Sequence, residues 1–412
     1  MTQAMPRREP SRTLILGLLC MASFSVVFNN LIITPILPSI ASDLDVRITI
    51  AGLLVTGYAI ASGAAGIFSG PLIDKLGRKP IVVWGMTLLA VATALSALAP
   101  GYYWLMASRI LAGLGVACLT PAVFAAVGDY FAYNERGRAM SWVVTANTSA
   151  SIFGVPAGAF IAGVASWRLT FCLLAMLSFV FAWLLFRNLP SHARSEEQTT
   201  TLLHTLWQVV SSVPTLMAIL AGFLGTTYWF LIMTYIGAYF FQVYGVAAWA
   251  LGAVTLVMGT GVLIGSNLGG RIGDRIGNKP VIMVAAGSGG AIMALETTVI
   301  DILPLAAALL FLYAVGGGAR FACHQTLMTE MLPRFRGTVM ALNASGQQFG
   351  IVAGSALGAF VLAQWGYTGL GPATGAIAVL AVLNYALFVD ESSARSAGDA
   401  RAGPGVEEVK EP

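Results

Sequence analysis

Polar residues in this chain come in short clusters, and apolar residues come in long runs. Apolar stretches of about twenty residues, enough to cross the hydrocarbon core of a bilayer as a helix, recur along its whole length. Twelve are read, at about 13–36, 48–71, 80–99, 103–128, 138–163, 168–187, 211–240, 247–270, 280–299, 303–328, 338–362 and 367–388. The intervals are short except 188–210, which carries Ser191-His192-Ala193-Arg194-Ser195-Glu196-Glu197. The pattern predicts an all-α integral membrane protein in two halves of six spans. The expected parts are a cytoplasmic tail (1–12), a first half (13–187), a cytoplasmic linker (188–210), a second half (211–390) and a disordered cytoplasmic tail (391–412).

The halves repeat each other. Gly70-Pro71-Leu72-Ile73-Asp74-Lys75-Leu76-Gly77-Arg78-Lys79-Pro80 returns as Gly270-Arg271-Ile272-Gly273-Asp274-Arg275-Ile276-Gly277-Asn278-Lys279-Pro280. At the same offset Arg136-Gly137 recurs as Arg336-Gly337, Met140 as Met340, and Gly158-Ala159-Phe160 as Gly358-Ala359-Phe360. A fixed offset marks a duplicated unit, and duplicated apolar units are how many transporters enclose a central site.

Composition and charge agree. Apolar residues make up 57% and charged residues 10%, against about 25% charged in soluble domains. With the N-terminus cytoplasmic, eighteen Lys and Arg fall on the inner side, and only Arg47 and Arg168 on the outer. That is a strong positive-inside bias, so the net charge of +4 is met by anionic lipid and needs no nucleic acid. Arg7, Arg8 and Arg12 before an apolar run mimic a signal peptide, but the run is long enough to be a retained first helix. Cys20, Cys118, Cys172 and Cys323 lie inside apolar runs without metal-ligand spacing. No phosphate loop, zinc-protease motif or nucleophile elbow is present, so an enzyme, a metal site and a cofactor are not expected. Gly316-Gly317-Gly318 in span ten is read as a packing element.

Gly70 and Gly77 allow a tight turn between spans two and three, and Asp74 and Arg78 are suited to a carboxylate–guanidinium fork. Gly70–Pro80 resembles the loop signature of the major facilitator superfamily, a Gly-x-Leu-x-Asp-Arg-x-Gly-Arg-Lys pattern, with Lys75 in place of Arg. The resemblance covers roughly 13–390 and implies twelve helices in an N-terminal and a C-terminal six-helix bundle related by pseudo-two-fold symmetry, alternating access by rocking of the halves, and a monomer. It also implies a latch of Asp74, Arg78 and Asp129, with Asp274 in the second copy. The competing reading, solvated charges that only set topology, is preferred for Lys75 and Lys79.

Arg109 lies inside span four, where a charge is a functional candidate by default. Arg109 through Gly113 and Gly115 resembles the family's helix-four motif, which implies a part in proton coupling alongside Asp74. The alternative is a side chain that snorkels to the outer interface. Gly154-Val155-Pro156-Ala157-Gly158 in span five resembles the antiporter motif of the bacterial sugar- and drug-efflux branch, as does Trp167-Arg168 after it. Small residues and Pro156 also serve ordinary close packing and bending. Asn29 and Asn30, Tyr58, Asn147, Tyr228, Trp229, Tyr235, Asn267, Asn343 and Gln347 are polar or aromatic residues within spans. Asn30, Tyr58, Asn147, Tyr228, Trp229, Tyr235 and Gln347 are taken as the substrate cavity. Arg320 and His324, one turn apart, are read as a structural pair. No acid falls mid-span, and Glu296 is placed near the outer end of span nine.

The expectation is a proton-coupled exporter of a small organic solute or drug in the bacterial inner membrane. The alternatives are uptake or facilitated diffusion of a metabolite and, remotely, a membrane sensor.

Overall fold

The computed structural model describes residues 12–131, 133–190, 211–331 and 336–389. The expected tails, 1–11 and 391–412, and most of the linker lie outside the described residues. So do the side chains of Asp74, Lys75 and Asp129 and the burial of Gly70, although their backbones are helical.

The described residues form helices with no strand. α1 (Arg12–Leu31) and α2 (Ile33–Asp43) make the first span. Pro35 has no N–H to offer the carbonyl of Leu31, so the span breaks there. α3 (Ile48–Leu76), α4 (Arg78–Ala97) and α5 (Tyr102–Tyr130) follow. The fifth span is α6 (Tyr133–Ser149), a π-helical turn at Ala150–Gly154, and α7 (Val155–Val164). Pro156 cannot donate to Ile152, and the wider turn absorbs the missing bond. α8 (Trp167–Asn188) completes the first half.

The second half opens with α9 (Val213–Met233) and α10 (Ile236–Val243). They break at Tyr235 (φ −110°, ψ 2°), where Thr234 Oγ1 donates back to Phe230 O at 2.7 Å. Spans one and seven, equivalent in the repeat, are thus broken at matching places by different chemistry. α11 (Leu251–Ile276), α12 (Asn278–Val299) and α13 (Leu303–Met331) follow. α14 (Arg336–Phe388) runs 53 residues but turns over at Gly366 (φ 66°, ψ −163°), so it supplies the last two spans. The twelve-span reading holds.

The repeated loop is repeated in backbone geometry. Gly77 (φ 86°, ψ 165°) and Gly277 (φ 98°, ψ 154°) take the same left-handed form, which favours glycine. Lys279 Nζ donates to Val389 O (2.8 Å) and Ala386 O (3.2 Å), capping the last helix. Its counterpart Lys79 lies 5.9 Å over the Phe186 ring near the end of α8.

Packing differs between the two ends of the molecule. At the end carrying Gly77 and Gly277, here the loop end, each half has its own core: Leu18, Val82, Leu119 and Val123 in one, Ile282, Leu327, Met328 and Val339 in the other. At the far end a single core runs across both halves through Ile32, Ile36, Leu54, Tyr235, Ile236, Phe240 and Leu251. Polar and glycine contacts close this junction. Thr56 and Ser355 hydroxyls meet at 2.6 Å, and Tyr235 Oη donates to Ser355 O at 3.1 Å. A Cβ at Gly252 would lie 2.7 Å from Pro156 O, and one at Gly237 would lie 2.7 Å from Thr34 O.

Candidate functional site

Two buried arginines organise the spans, one in each half. Arg109 is 1% exposed. Its Nη1 donates to Asn29 Oδ1 (2.7 Å) and its Nη2 to Asn29 O (2.9 Å). Asn29 Nδ2 donates to Thr93 Oγ1 (2.7 Å), which donates to Leu89 O (2.6 Å). The Tyr58 ring lies 4.8 Å from the guanidinium carbon, and Phe171 lies 5.9 Å away. The snorkelling reading is therefore wrong: the side chain is held inside the bundle by a planar fork. Asn29 is its partner. Gly113 lets α5 approach α3 closely enough for this, since a Cβ there would lie 2.3 Å from Tyr58 O and 3.0 Å from Ala61 Cβ. Backbone cannot give way as a side-chain tip can. Gly113→Ala is expected to destabilise the fold by about 1–3 kcal/mol, read as a lower unfolding midpoint in detergent. Gly17→Ala, with nothing within 4 Å, is the control that should leave the midpoint unchanged.

Arg320 is the counterpart on α13, 5% exposed. Tyr228 lies 5.2 Å from its guanidinium carbon. Among the described residues it has no hydrogen-bond acceptor, and its Nε is buried without a partner. A cation–π contact contributes about 0.5–2 kcal/mol, less than the several kcal/mol that burying an ion costs. One turn further along α13, His324 Nδ1 meets Tyr385 Oη, and its Nε2 meets Asn343 Oδ1 at 2.9 Å. Asn343 Nδ2 and Gln347 Nε2 both donate to Gln325 Oε1, at 2.9 and 3.1 Å. Glycines on α9 make room for this cluster. A Cβ at Gly225 would fall 2.1 Å from Arg320 Nη1, and one at Gly222 would fall 2.6 Å from His324 Nε2.

The expected cavity residues separate into these environments and do not form one ring. Tyr58 serves Arg109. Tyr228 serves Arg320 and meets Tyr313 edge-on, while Trp229 stacks on Tyr313 at 4.9 Å. Gln347 ends the polar chain from His324. Asn147 accepts from Ser23 Oγ at 2.6 Å. Tyr235 belongs to the closed junction. Asn30 is half-buried with an unpartnered Oδ1, and Asn267 is exposed. A groove of about 680 Å³ at the loop end of the first half is lined by Arg12, Leu16, Cys20, Phe131, Glu135 and Trp142. None of the expected cavity residues lines it.

Gly154 and Gly158 are packing positions, where a Cβ would fall 2.9 Å from Phe24 Cζ and 2.7 Å from Ile32 Cδ1. Pro156 sits where α7 crosses α11. Arg168 pairs with Asp43 and donates to Ala99 O at 3.0 Å, tying together the far ends of spans one, three and six. Of the latch residues, Arg78 is half-buried and engaged, Asp274 is exposed, and the Asp74 and Asp129 side chains lie outside the described ones.

One residue escaped the sequence reading. Glu296 is 0% exposed, and neither carboxylate oxygen has a partner among the described residues. Its position three residues from the end of α12 reads as terminal. The far-end core, with Tyr239 donating to its backbone carbonyl at 3.1 Å, covers it from beyond.

The Major Facilitator Superfamily model matches residues 19–295 and 250–410. The MFS-type transporter YwfA of Bacillus subtilis is 28% identical over 374 residues, 88% of this chain and 89% of its own. Multidrug resistance protein 2 of the same organism is 33% identical over 132 residues, 32% of this chain and 33% of its own. The inner membrane transport protein YdhP of Escherichia coli is 28% identical over 243 residues, 58% of this chain and 61% of its own. Among solved structures, an inward-facing bacterial homologue of the human lysosomal transporter Spinster aligns with TM-score 0.74 at 17% identity, over 96% of this chain and 99% of that one. The D-xylose-proton symporter also aligns at 0.74 and 17%, over 93% and 99%. With twelve spans in two packed halves, a repeated loop and a family match over most of its length, the chain is a multi-pass membrane transport protein that belongs to the Major Facilitator Superfamily.

Proposed function

We propose that the chain is a secondary active transporter that exports a small organic solute across the bacterial inner membrane in exchange for protons. The observation that carries the reading is the asymmetry of packing: one core seals the halves at the far end, and two separate cores lie at the loop end. Rocking that transfers the seal from one end to the other is alternating access. The positive-inside bias supports a cytoplasmic loop end, and in that orientation this conformation receives solute from within. The resemblance of span five to the antiporter motif supports export, as does the similarity to a multidrug resistance protein, and the similarity to an inner membrane transport protein supports the membrane. Buried ionisable groups in spans mark ion pathways. Arg109 and Glu296 are such groups, and Asp74 is retained from the loop motif.

The test uses proteoliposomes with an imposed pH gradient, internal pH being followed while drugs, sugars and organic acids are added. Solute-dependent proton movement opposite to solute flux is expected. Flux without proton movement would make the chain a facilitator, and proton movement with the solute would make it an uptake symporter. Glu296→Gln keeps the size of the side chain and removes its titration. It is expected to retain solute exchange down a gradient and to lose at least about tenfold of the pH-driven component, the scale of one general proton-transfer group being larger still. Unchanged pH-driven flux would remove Glu296 from coupling.

A further inference from the structure

The two buried arginines differ in one respect that bears on the solute. Arg109 donates one hydrogen bond from each terminal nitrogen to Asn29, which is neutral and part of the fold, and like Arg320 it leaves Nε buried without a partner. Arg320 is as deeply placed, yet no acceptor meets it among the described residues. The ion pairs described elsewhere, Arg12–Glu135 and Arg168–Asp43, lie at exposed ends. Glu296, a buried acid of this half, does not pair with Arg320 among the described residues. α9 is indented at Gly225 to receive the guanidinium, where a Cβ would lie 2.1 Å from Nη1 and 2.9 Å from Cζ. The neighbouring acceptors are committed elsewhere: Asn343 Oδ1 to His324, and Gln325 Oε1 to Asn343 and Gln347. Its place along the span matters as well. Tyr228 belongs to the core that seals the far end, and Cys323 and Leu327 belong to the separate loop-end core of this half. Arg320 therefore stands where the seal ends.

We propose that Arg320, on its Tyr228 platform, is the binding site for the anionic group of the solute, and that the solute is a carboxylate-bearing organic monoanion. This rests on the reading of the chain as a transporter. A guanidinium with free donors forks onto a carboxylate. A single cation, with His324 already bonded on both ring nitrogens, matches one negative charge better than the two of a phosphate monoester. Trp229, half-buried and stacked on Tyr313, supplies an apolar face for the remainder of the solute.

Purified protein in detergent is heated with benzoate, phenylpropionate and octanoate, and with the amide and amine of each. A ligand at free concentration L that binds only the folded state stabilises it by RT ln(1 + L/Kd) and so raises the unfolding midpoint as its concentration exceeds Kd. At least one carboxylate is expected to raise the midpoint by several degrees, while its amide and amine do not. Arg320→Gln is expected to abolish that shift, and Arg320→Lys to reduce it, since an ammonium cannot fork. Should Arg320→Gln fold poorly, Gly225→Ala keeps the arginine and displaces its guanidinium through the added methyl, and it is expected to lose the shift too. No shift with any carboxylate, an equal shift with the amides, or a shift retained in both Arg320→Gln and Gly225→Ala would overturn the assignment. The two readings fail separately. Proton-coupled flux of a neutral solute with carboxylates inert leaves the exporter and removes the anion site. Arg320-dependent carboxylate binding without proton movement leaves the site and removes antiport.

Discussion

Arg109→Lys is expected to reduce transport by about a hundredfold while leaving membrane abundance unchanged. The substitution keeps the positive charge and removes the fork. In the native protein the guanidinium occupies the side-chain and main-chain oxygens of Asn29 at once, at 2.7 and 2.9 Å. That residue lies three positions before Ile32, where α1 and α2 break. A lysine ammonium cannot span both oxygens in one plane, and a buried acceptor left unpaired costs about 1–3 kcal/mol. Loss of about 2.7 kcal/mol in the step that moves α1 is the hundredfold, at about 1.36 kcal/mol per tenfold. Arg109→Ala removes the charge as well and should be no more active. The informative comparison is the pH-gradient dependence of the residual flux. If Arg109 only positions span one, both variants keep their dependence on the gradient at reduced rate. If its charge tunes the proton site, the alanine variant loses that dependence and the lysine variant keeps it. Flux at the wild-type rate in Arg109→Lys would show that the fork has no role in the moving step.

The fold was legible because bilayer thickness imposes one length on every span, and because the repeated loop marks the halves. The same constraint hid the breaks. Nothing in Thr234-Tyr235 marks a discontinuity as Pro35 does in span one. Gly366 is one glycine among many, and only its φ of 66° reveals the boundary between the last two spans. Arg109 was legible as a charge amid apolar residues. Its partner was not, because Asn29 and Asn30 are adjacent and differ only by the 100° rotation between successive helix positions. Glu296 was misread because distance from a helix end was taken for distance from water. Helices α10 and α12 and the tyrosines around them extend the apolar core past it. Arg320 was seen together with His324, but its lack of an acceptor depends on where Gln325, Asn343 and Gln347 point, and no spacing encodes that.

The second large effect is expected at the sealed end. Gly52 on α3 faces Tyr235 at the break of span seven, and a Cβ there would lie 2.2 Å from the phenol oxygen and 2.4 Å from the nearer ring carbon. Tyr235 has nowhere to retreat: it is 0% exposed, and its hydroxyl is bonded to Ser355 O at 3.1 Å. Gly52→Ala therefore strains the sealed conformation by about 1–3 kcal/mol, the usual range for an added methyl in a packed core, and leaves a far-end-open conformation untouched. A ligand or mutation that acts on one of two conformations shifts their populations by that difference, so the sealed state should lose roughly tenfold to a hundredfold in weight. Ile236→Cys in a background lacking Cys20, Cys118, Cys172 and Cys323 reports this, because Ile236 is 0% exposed in the seal. Its labelling by a membrane-impermeant maleimide should accelerate by a similar factor when Gly52→Ala is added, and transport should slow because the seal no longer forms. Tyr235→Ala removes the ring that the methyl strikes, so Gly52→Ala should add little on top of it, and the non-additivity of the pair measures the contact. Slow labelling and normal transport in Gly52→Ala would mean that the halves do not part at this junction, and the alternating seal would have to be sought elsewhere.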